Sequence, residues 1–300
     1  MKCAFLFSPQ GSQFLGMGKD LYEHYPIIKQ RIDEANQTLK HHVINHLFHD
    51  ATALEHTQFV QTAMYALSCA IQDQLEHEGI HAKASAGLSL GECFAYYHQG
   101  VYDFSTGLSI INERGRLMHE TTQTNPGVMA AVRSDKQTVV NLVNAIEGIY
   151  LANVNAADQL VISGSKAGLD AFKEQATSIK RIIPLKTAGA FHSPLMQSAA
   201  DKFAQYIEPI DLKQPKGDLY ANVTATLVDE PLKPLMSQHI SQPVLFHDML
   251  KKMIADGYDT FIEIGPKPML AKFVKKIDRD LNAYSVHDVA SLKHVVEELV

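Results

Sequence analysis

Cys3-Ala4-Phe5-Leu6-Phe7 is an unbroken apolar run that stops at Ser8-Pro9-Gln10-Gly11-Ser12, a cluster of turn formers. A short apolar run bounded in this way predicts a buried strand opening into a loop. Apolar positions then recur at helical intervals over about 20–48. They do so again over 57–77, where Val60, Met64, Leu67, Ala70 and Ile71 fall into step. A weak strand is predicted over 81–86, directly ahead of Gly87-Leu88-Ser89-Leu90-Gly91. Helical spacing restarts at Phe94 and returns in Phe104, Leu108, Ile111 and Met118.

The middle of the chain changes period. Strand-like runs are predicted over 127–132, 149–154, 159–163 and 182–186, with helices over 136–146 and 166–179. The order strand-helix-strand-strand-helix-strand is that of a ferredoxin-like βαββαβ unit. Beyond it, α/β alternation resumes, with a strand over 259–264, then Gly265-Pro266 and a basic helix. The predicted fold class is α/β: a large domain made of 1–124 and 189–300, with a small ferredoxin-like domain inserted at 125–188.

Length and charge narrow the function. Three hundred residues fit one large domain or two smaller ones at roughly 150 residues each. Lys and Arg number 27 against 33 Asp and Glu, a net charge of −6, which disfavours nucleic acid as a partner. No apolar run approaches the ~18 residues of a membrane span, and the N-terminus lacks a secretory pattern, so a cytoplasmic location is expected. Cys3, Cys69 and Cys93 form an odd set without CxxC pairing, as expected of free thiols in a reducing compartment. His41, His42, His46 and His49 have helical spacing but neither a Cys partner nor an HExxH pattern. They are expected to form a solvated face, and no metal or cofactor is expected.

Chemistry concentrates at Gly87–Gly91, a G-x-S-x-G between a predicted strand and helix. Such a turn exposes the Ser89 hydroxyl at a helix N-terminus. The backbone N–H of Leu90 then points where a tetrahedral oxyanion forms. A serine needs a base, and fifteen histidines are available. His192 stands out because Gly189-Ala190-Phe191-His192-Ser193-Pro194 follows a predicted strand as a loop, although sequence alone does not choose it. Arg114, by its own pattern, reads as one more arginine on an amphipathic helix.

Several stretches together resemble the malonyl-CoA:acyl-carrier-protein transacylases. Phe7-Ser8-Pro9-Gln10-Gly11-Ser12-Gln13 is similar to the family's FPGQGSQ, and Gln61-Thr62-Ala63 to its QPA. Gly87-Leu88-Ser89-Leu90-Gly91-Glu92 resembles GHSLGE, and Arg114-Gly115-Arg116-Leu117-Met118 resembles RGxxM. Asn155 with Gln159-Leu160-Val161-Ile162-Ser163-Gly164, then Phe191-His192-Ser193-Pro194-Leu195-Met196, then Glu263-Ile264-Gly265-Pro266 complete the set in family order. The family's fold, an α/β-hydrolase-like core with a ferredoxin-like insert, agrees with the one read from periodicity.

The resemblance implies Ser89 as nucleophile, His192 as its base, and the N–H groups of Gln10 and Leu90 as oxyanion hole. It implies Arg114 as clamp for a malonyl carboxylate, Phe191 as a wall beside the substrate α-carbon, and Gln61 and Asn155 as further substrate-binding residues. Among the resembling polyketide enzymes, Phe before this His goes with malonyl and Ser with methylmalonyl. The implied reaction is ping-pong transfer of malonyl from malonyl-CoA to the phosphopantetheine thiol of an acyl carrier protein; a monomer is assumed. Leu88 and Pro9 stand where the family has His and Gly, and His239 stands where it often has a Gln whose main-chain carbonyl holds the catalytic His. An acyl-hydrolase on the same Ser–His pair, or a silent subunit that only binds carrier protein, are the competing expectations. Two basic surfaces are candidates for acidic partners: Lys267, Lys272, Lys275 and Lys276, and Lys180-Arg181 with Lys186.

Overall fold

A computed structural model describes residues 1–39, 42–187 and 189–300. Its strands, in chain order, are β1 (Cys3–Phe7), β2 (Ala84–Gly87), β3 (Val128–Arg133), β4 (Ile149–Ala156), β5 (Gln159–Gly164), β6 (Arg181–Pro184), β7 (Asp218–Leu219), β8 (Thr260–Ile264) and β9 (Asn282–Val286). Five of them form a parallel sheet in the order β7-β2-β1-β8-β9. The unbroken apolar run of β1 explains its central place, since a parallel strand covered by helices on both faces has no polar side to offer. Helix Thr57–His77 lies among the largest core cluster and packs beside helix Phe104–Thr124.

The other four strands form an antiparallel sheet in the order β4-β5-β3-β6. Helices Lys136–Ala145 and Lys166–Gln175 cover one face of it. Ala130, Val132, Leu160, Ile162, Leu169 and Phe172 make a separate small core there. Met129, Ala152 and Val161 point the other way and join the main core. The two-residue period of a strand thus gives the small sheet one face for its own helices and one for the large unit. A backbone splice fixes the junction: Val154 N–H donates to Val244 O at 2.9 Å, and Val244 N–H to Ala152 O at 2.8 Å. The arrangement is the expected α/β class with a separate βαββαβ layer.

Differences from the expected elements have local causes. The periodic stretch 20–48 is divided, and Pro26 opens helix Pro26–Thr38 at a position where its missing N–H costs nothing. The helix expected to reach 179 stops at Gln175, yet Ala176 and Ile179 still pack into the small core through a turn. The strand expected over 182–186 ends at Pro184, which has no N–H to pair and sits on the sheet edge, where this is tolerated. The histidine cluster needs correction. His42 and His49 are exposed, but His46 is buried with its ring 4.6 Å from that of Phe59. One side of helix Val43–Phe48 faces the core, so the cluster does not share a solvated face. His41 lies outside the described residues. The cysteines are free and buried.

Candidate active site

The turn from β2 into helix Leu90–His98 is held by close backbone packing. A Cβ on Gly87 would lie 2.0 Å from the Gly91 carbonyl carbon, and one on Gly91 would lie 2.0 Å from the Phe7 carbonyl oxygen. Only glycine fits either position. Ser89 itself has φ 51° and ψ −113°, a left-handed conformation that costs a non-glycine residue about 1–3 kcal/mol. Its N–H donates to Asn222 Oδ1 at 2.8 Å, while Asn222 Nδ2 donates to Gly87 O at 2.7 Å. One side chain therefore ties both ends of the strained turn. Leu90 opens the helix, so its N–H has no partner within it and points along the positive end of the dipole.

Ser89 Oγ lies 2.6 Å from His192 Nε2. The other ring nitrogen, Nδ1, lies 2.9 Å from the carbonyl oxygen of His239. A carbonyl only accepts, so Nδ1 carries the proton and Nε2 is left as the acceptor for the Ser89 O–H. His192 is buried, sits at φ 57°, and is further fixed by its N–H donating to Ile240 O at 3.2 Å. Burial, reinforced by the positive charge of Arg114, holds its imidazole down at about 4. The ring is therefore neutral near pH 7, as a base must be.

Arg114 is 1% exposed, deep in helix Phe104–Thr124. Its Nη1 donates to Gln61 Oε1 at 2.8 Å, while Nε and Nη2 have no hydrogen-bond partner among the described residues. A buried cation with two idle donors is costly, and an anionic group would relieve that cost. Gln61 Nε2 continues the chain to Gln10 Oε1 at 3.4 Å. Gln10 sits in a tight loop: Pro9 O accepts from Ser12 Oγ at 2.7 Å and from Ser12 N at 3.4 Å, and Gly11 takes φ 99°. Phe191 is buried in the main core beside His192. Asn155 lies in β4 with its Oδ1 buried and unpartnered, and it makes no hydrogen bond with Ser89, His192 or Arg114 among the described residues.

Some supports had no role in the sequence reading. Asn222 belongs to no quoted motif and lies 133 positions from Ser89. Glu263, within the EIGP stretch, is a buried carboxylate that accepts from Ser8 Oγ at 2.9 Å, Met269 N at 2.9 Å and Ala271 N at 3.0 Å. It pins the loop leading to Gln10 against the start of helix Leu270–Ile277. A lone carboxylate in a fully buried strand was the available signal. A groove of about 590 Å³ runs between helix Lys136–Ala145, the start of β4 and the segment 241–243, with His192 among its lining residues. Among the described residues no group of three or more His, Cys, Asp or Glu is placed to hold a metal ion, and no helix is long and apolar enough to cross a membrane.

Residues 4–296 match the acyl transferase domain family. The malonyl CoA-acyl carrier protein transacylase of Bacillus subtilis is 36% identical, covering 99% of this chain and 97% of its own. The protein of the same name from Synechocystis is 32% identical, with 97% and 99% covered. The crystal structure of MCAT from Streptococcus pneumoniae superposes with a TM-score of 0.95 at 34% identity, over 99% of this chain and 100% of that one. A malonyl-transacylase solved in complex with its type II PKS acyl-carrier protein also gives 0.95, at 28% identity over 99% and 100%. With a turn-borne serine, an imidazole in reach of it and likeness along its whole length, the chain belongs to the acyl transferase domain family, among the malonyl CoA-acyl carrier protein transacylases, and is an acyltransferase.

Proposed function

We propose that the protein moves a malonyl group from malonyl-CoA to the phosphopantetheine thiol of an acyl carrier protein through a malonyl-serine intermediate. The observation that carries this reading is Arg114, a buried cation with two unused donors whose charge reaches His192. A malonyl carboxylate fits it with parallel hydrogen bonds. Ser89 Oγ attacks the thioester carbonyl as His192 Nε2 takes its proton. The oxyanion is received by the N–H groups of Leu90 and Gln10, and each such donor is worth about 3–4 kcal/mol. The tetrahedral intermediate collapses, and His192 returns the proton to the departing CoA thiolate. The carrier thiol then attacks the malonyl-serine ester, and the same steps run in reverse.

The groove at His192 supplies an approach for the pantetheine arm, whose amides match Asn144, Gln197 and Gln242 along its lining. The small unit, taken as 125–188, would form one wall. Phe191 would crowd an α-methyl group, and Asn155 would offer its idle Oδ1 to the acyl chain or the arm. Of the two basic surfaces, Lys276 is paired with Asp158 at 3.2 Å and Lys275 donates to Arg279 O at 3.1 Å. Lys180, Arg181 and Lys186 are exposed together with Ile183 and Leu185, which suits an acidic carrier with an apolar contact. The working unit is taken to be a monomer. A carrier so loaded feeds fatty-acid or polyketide assembly.

The test is to load the protein with labelled malonyl-CoA, isolate the acyl-enzyme, and add either carrier protein or buffer. Passage of label to the carrier is expected. Rapid loss to buffer would instead mark an acyl-hydrolase, and no label on Ser89 a silent carrier-binding subunit.

A further inference from the structure

Behind the Ser89–His192 pair lies a carboxyl that the reaction as written does not use. Glu92 is fully buried in the helix that follows Ser89. Its Oε2 accepts the N–H of Asn222, the residue whose side chain holds the Ser89 N–H and the Gly87 carbonyl. Its Oε1 accepts the Tyr96 O–H at 2.9 Å and stands 3.7 Å from His239 Nδ1. His239 in turn supplies the carbonyl that orients His192. One side chain therefore touches the support of the nucleophile and the support of the base. These supports arrive from separate parts of the chain: the segment after β7, and helix Leu232–Ser241.

We propose that Glu92 is a positioning residue that sets Ser89 Oγ against His192 Nε2, acting through Asn222 on one side and His239 on the other. Ser89 holds a strained conformation, which persists only where its surroundings over-determine it. The pair Asn222–Glu92 supplies that constraint. A nucleophile and base held by a fully packed shell keep the separation that proton transfer needs, and a displacement of about 1 Å can cost about a hundredfold in rate.

The carboxyl also gives the device a recognisable signature. It is faced by Tyr96 and Cys93 of its own helix, by Tyr102 just beyond it, by the charge of Arg114 from helix Phe104–Thr124, and by His239, kept neutral by burial. Burial outweighs the hydrogen bonds from Asn222 and Tyr96 and the charge of Arg114, and pushes Glu92 up to about 7. Ionised, it accepts on both oxygens. Protonated, it is neutral, the hydrogen bonds from Asn222 and Tyr96 lose their charge assistance, and a support loosens.

The inference rests on Ser89 and His192 being the reacting pair but not on malonyl as the acyl group. A fluorophosphonate reagent separates these, because Ser89 Oγ bonds to phosphorus, fluoride leaves and the proton passes to His192 whatever the natural donor. The labelling rate of Ser89, read by mass spectrometry, is expected to rise across pH 7 in the parent protein. In Glu92→Gln, whose neutral amide cannot supply the charge-assisted bonds of the carboxylate, labelling is expected to be slower by about tenfold or more and flat from pH 6 to 8. With malonyl-CoA the same variant is expected to lose kcat while KM stays within about twofold. Asn222→Ala keeps the carboxyl and the backbone N–H it accepts but removes the side chain that carries the constraint to Ser89 and Gly87. It should slow labelling as well, and the double variant should be no slower than the slower single one, as for residues acting as a unit. Parent rates in a folded Glu92→Gln, or a slower rate that keeps the step at pH 7, would overturn the assignment. Should that variant not fold, a parent rate in Asn222→Ala overturns it equally.

Discussion

Replacing Arg114 by Met isolates the proposed carboxylate clamp. Methionine is unbranched, apolar and long enough to fill the space, so the change removes charge and donors with little loss of packing. Arg114 spends Nη1 on Gln61 and has Nε and Nη2 idle. A malonyl carboxylate would therefore meet at least two free donors, while an acetyl group leaves them unpaired. Losing one partner of a buried, hydrogen-bonded charge pair costs about 2–5 kcal/mol. At about 1.4 kcal/mol per decade, that is roughly thirtyfold to several thousandfold. The ratio of kcat/KM for malonyl-CoA to that for acetyl-CoA is expected to fall by such a factor, with acetyl transfer retained or raised. Stability should move little. Gln61 Oε1 loses its donor, a cost of about 1–3 kcal/mol, but an unpaired buried cation is removed at the same time. Parallel assays with both thioesters and a thermal melt check each part. An unchanged malonyl-to-acetyl ratio in a folded variant refutes the clamp.

Other expectations follow from the same geometry. Gly91→Ala drives a Cβ into the Phe7 carbonyl and should cost about 3 kcal/mol, seen as a lower urea midpoint together with slower Ser89 labelling. Phe191→Ser should improve methylmalonyl transfer relative to malonyl by about 1–3 kcal/mol, read as a ratio of kcat/KM values, while lowering the melting temperature because Phe191 belongs to the main core. For His192, held near 4 against an ordinary 6.5, the unfolded chain binds a proton that the folded chain refuses. Its contribution to stability is therefore complete above pH 6.5 and drains as pH falls toward 4. Glu92, raised from 4.5 to about 7, works in the opposite sense: its contribution is complete below 4.5 and lost as pH rises through 7. Urea midpoints of Glu92→Gln should accordingly fall more steeply than those of the parent between pH 7 and 4.5. Equal slopes would remove the assigned ionisation. The acid limb of kcat/KM that belongs to the base is expected near pH 4.

How far the site could be read in advance varied with the reach of the interaction. Gly87 and Gly91 around Ser89 marked the turn because the constraint is carried by neighbours in the chain. Orientation of His192 by the His239 carbonyl left no side-chain signature, since any residue supplies a carbonyl. Asn155 shows the converse: it belongs to a family-like stretch, yet among the described residues its strand does not bring it into hydrogen-bond contact with Ser89 or His192. Glu92 stood in plain view within the serine motif, but its two arms are visible only once Asn222 and His239 fold against it.

By itself, the sequence determined the strand at Cys3–Phe7, the long helices over 57–77 and 104–124, the βαββαβ order of the middle segment and the sharp bend at Ser89. Each depends on spacing and turn chemistry within a few residues, and solvent sorts apolar from polar positions at that range. Tertiary structure decided which of fifteen histidines meets the serine, across 103 positions. It also decided that His46 is buried, that Arg114 is buried with Nε and Nη2 unpartnered among the described residues, and that Met129, Ala152 and Val161 dock the small sheet on the large core. Those outcomes are set by close packing between distant segments, where position along the chain carries no distance in space.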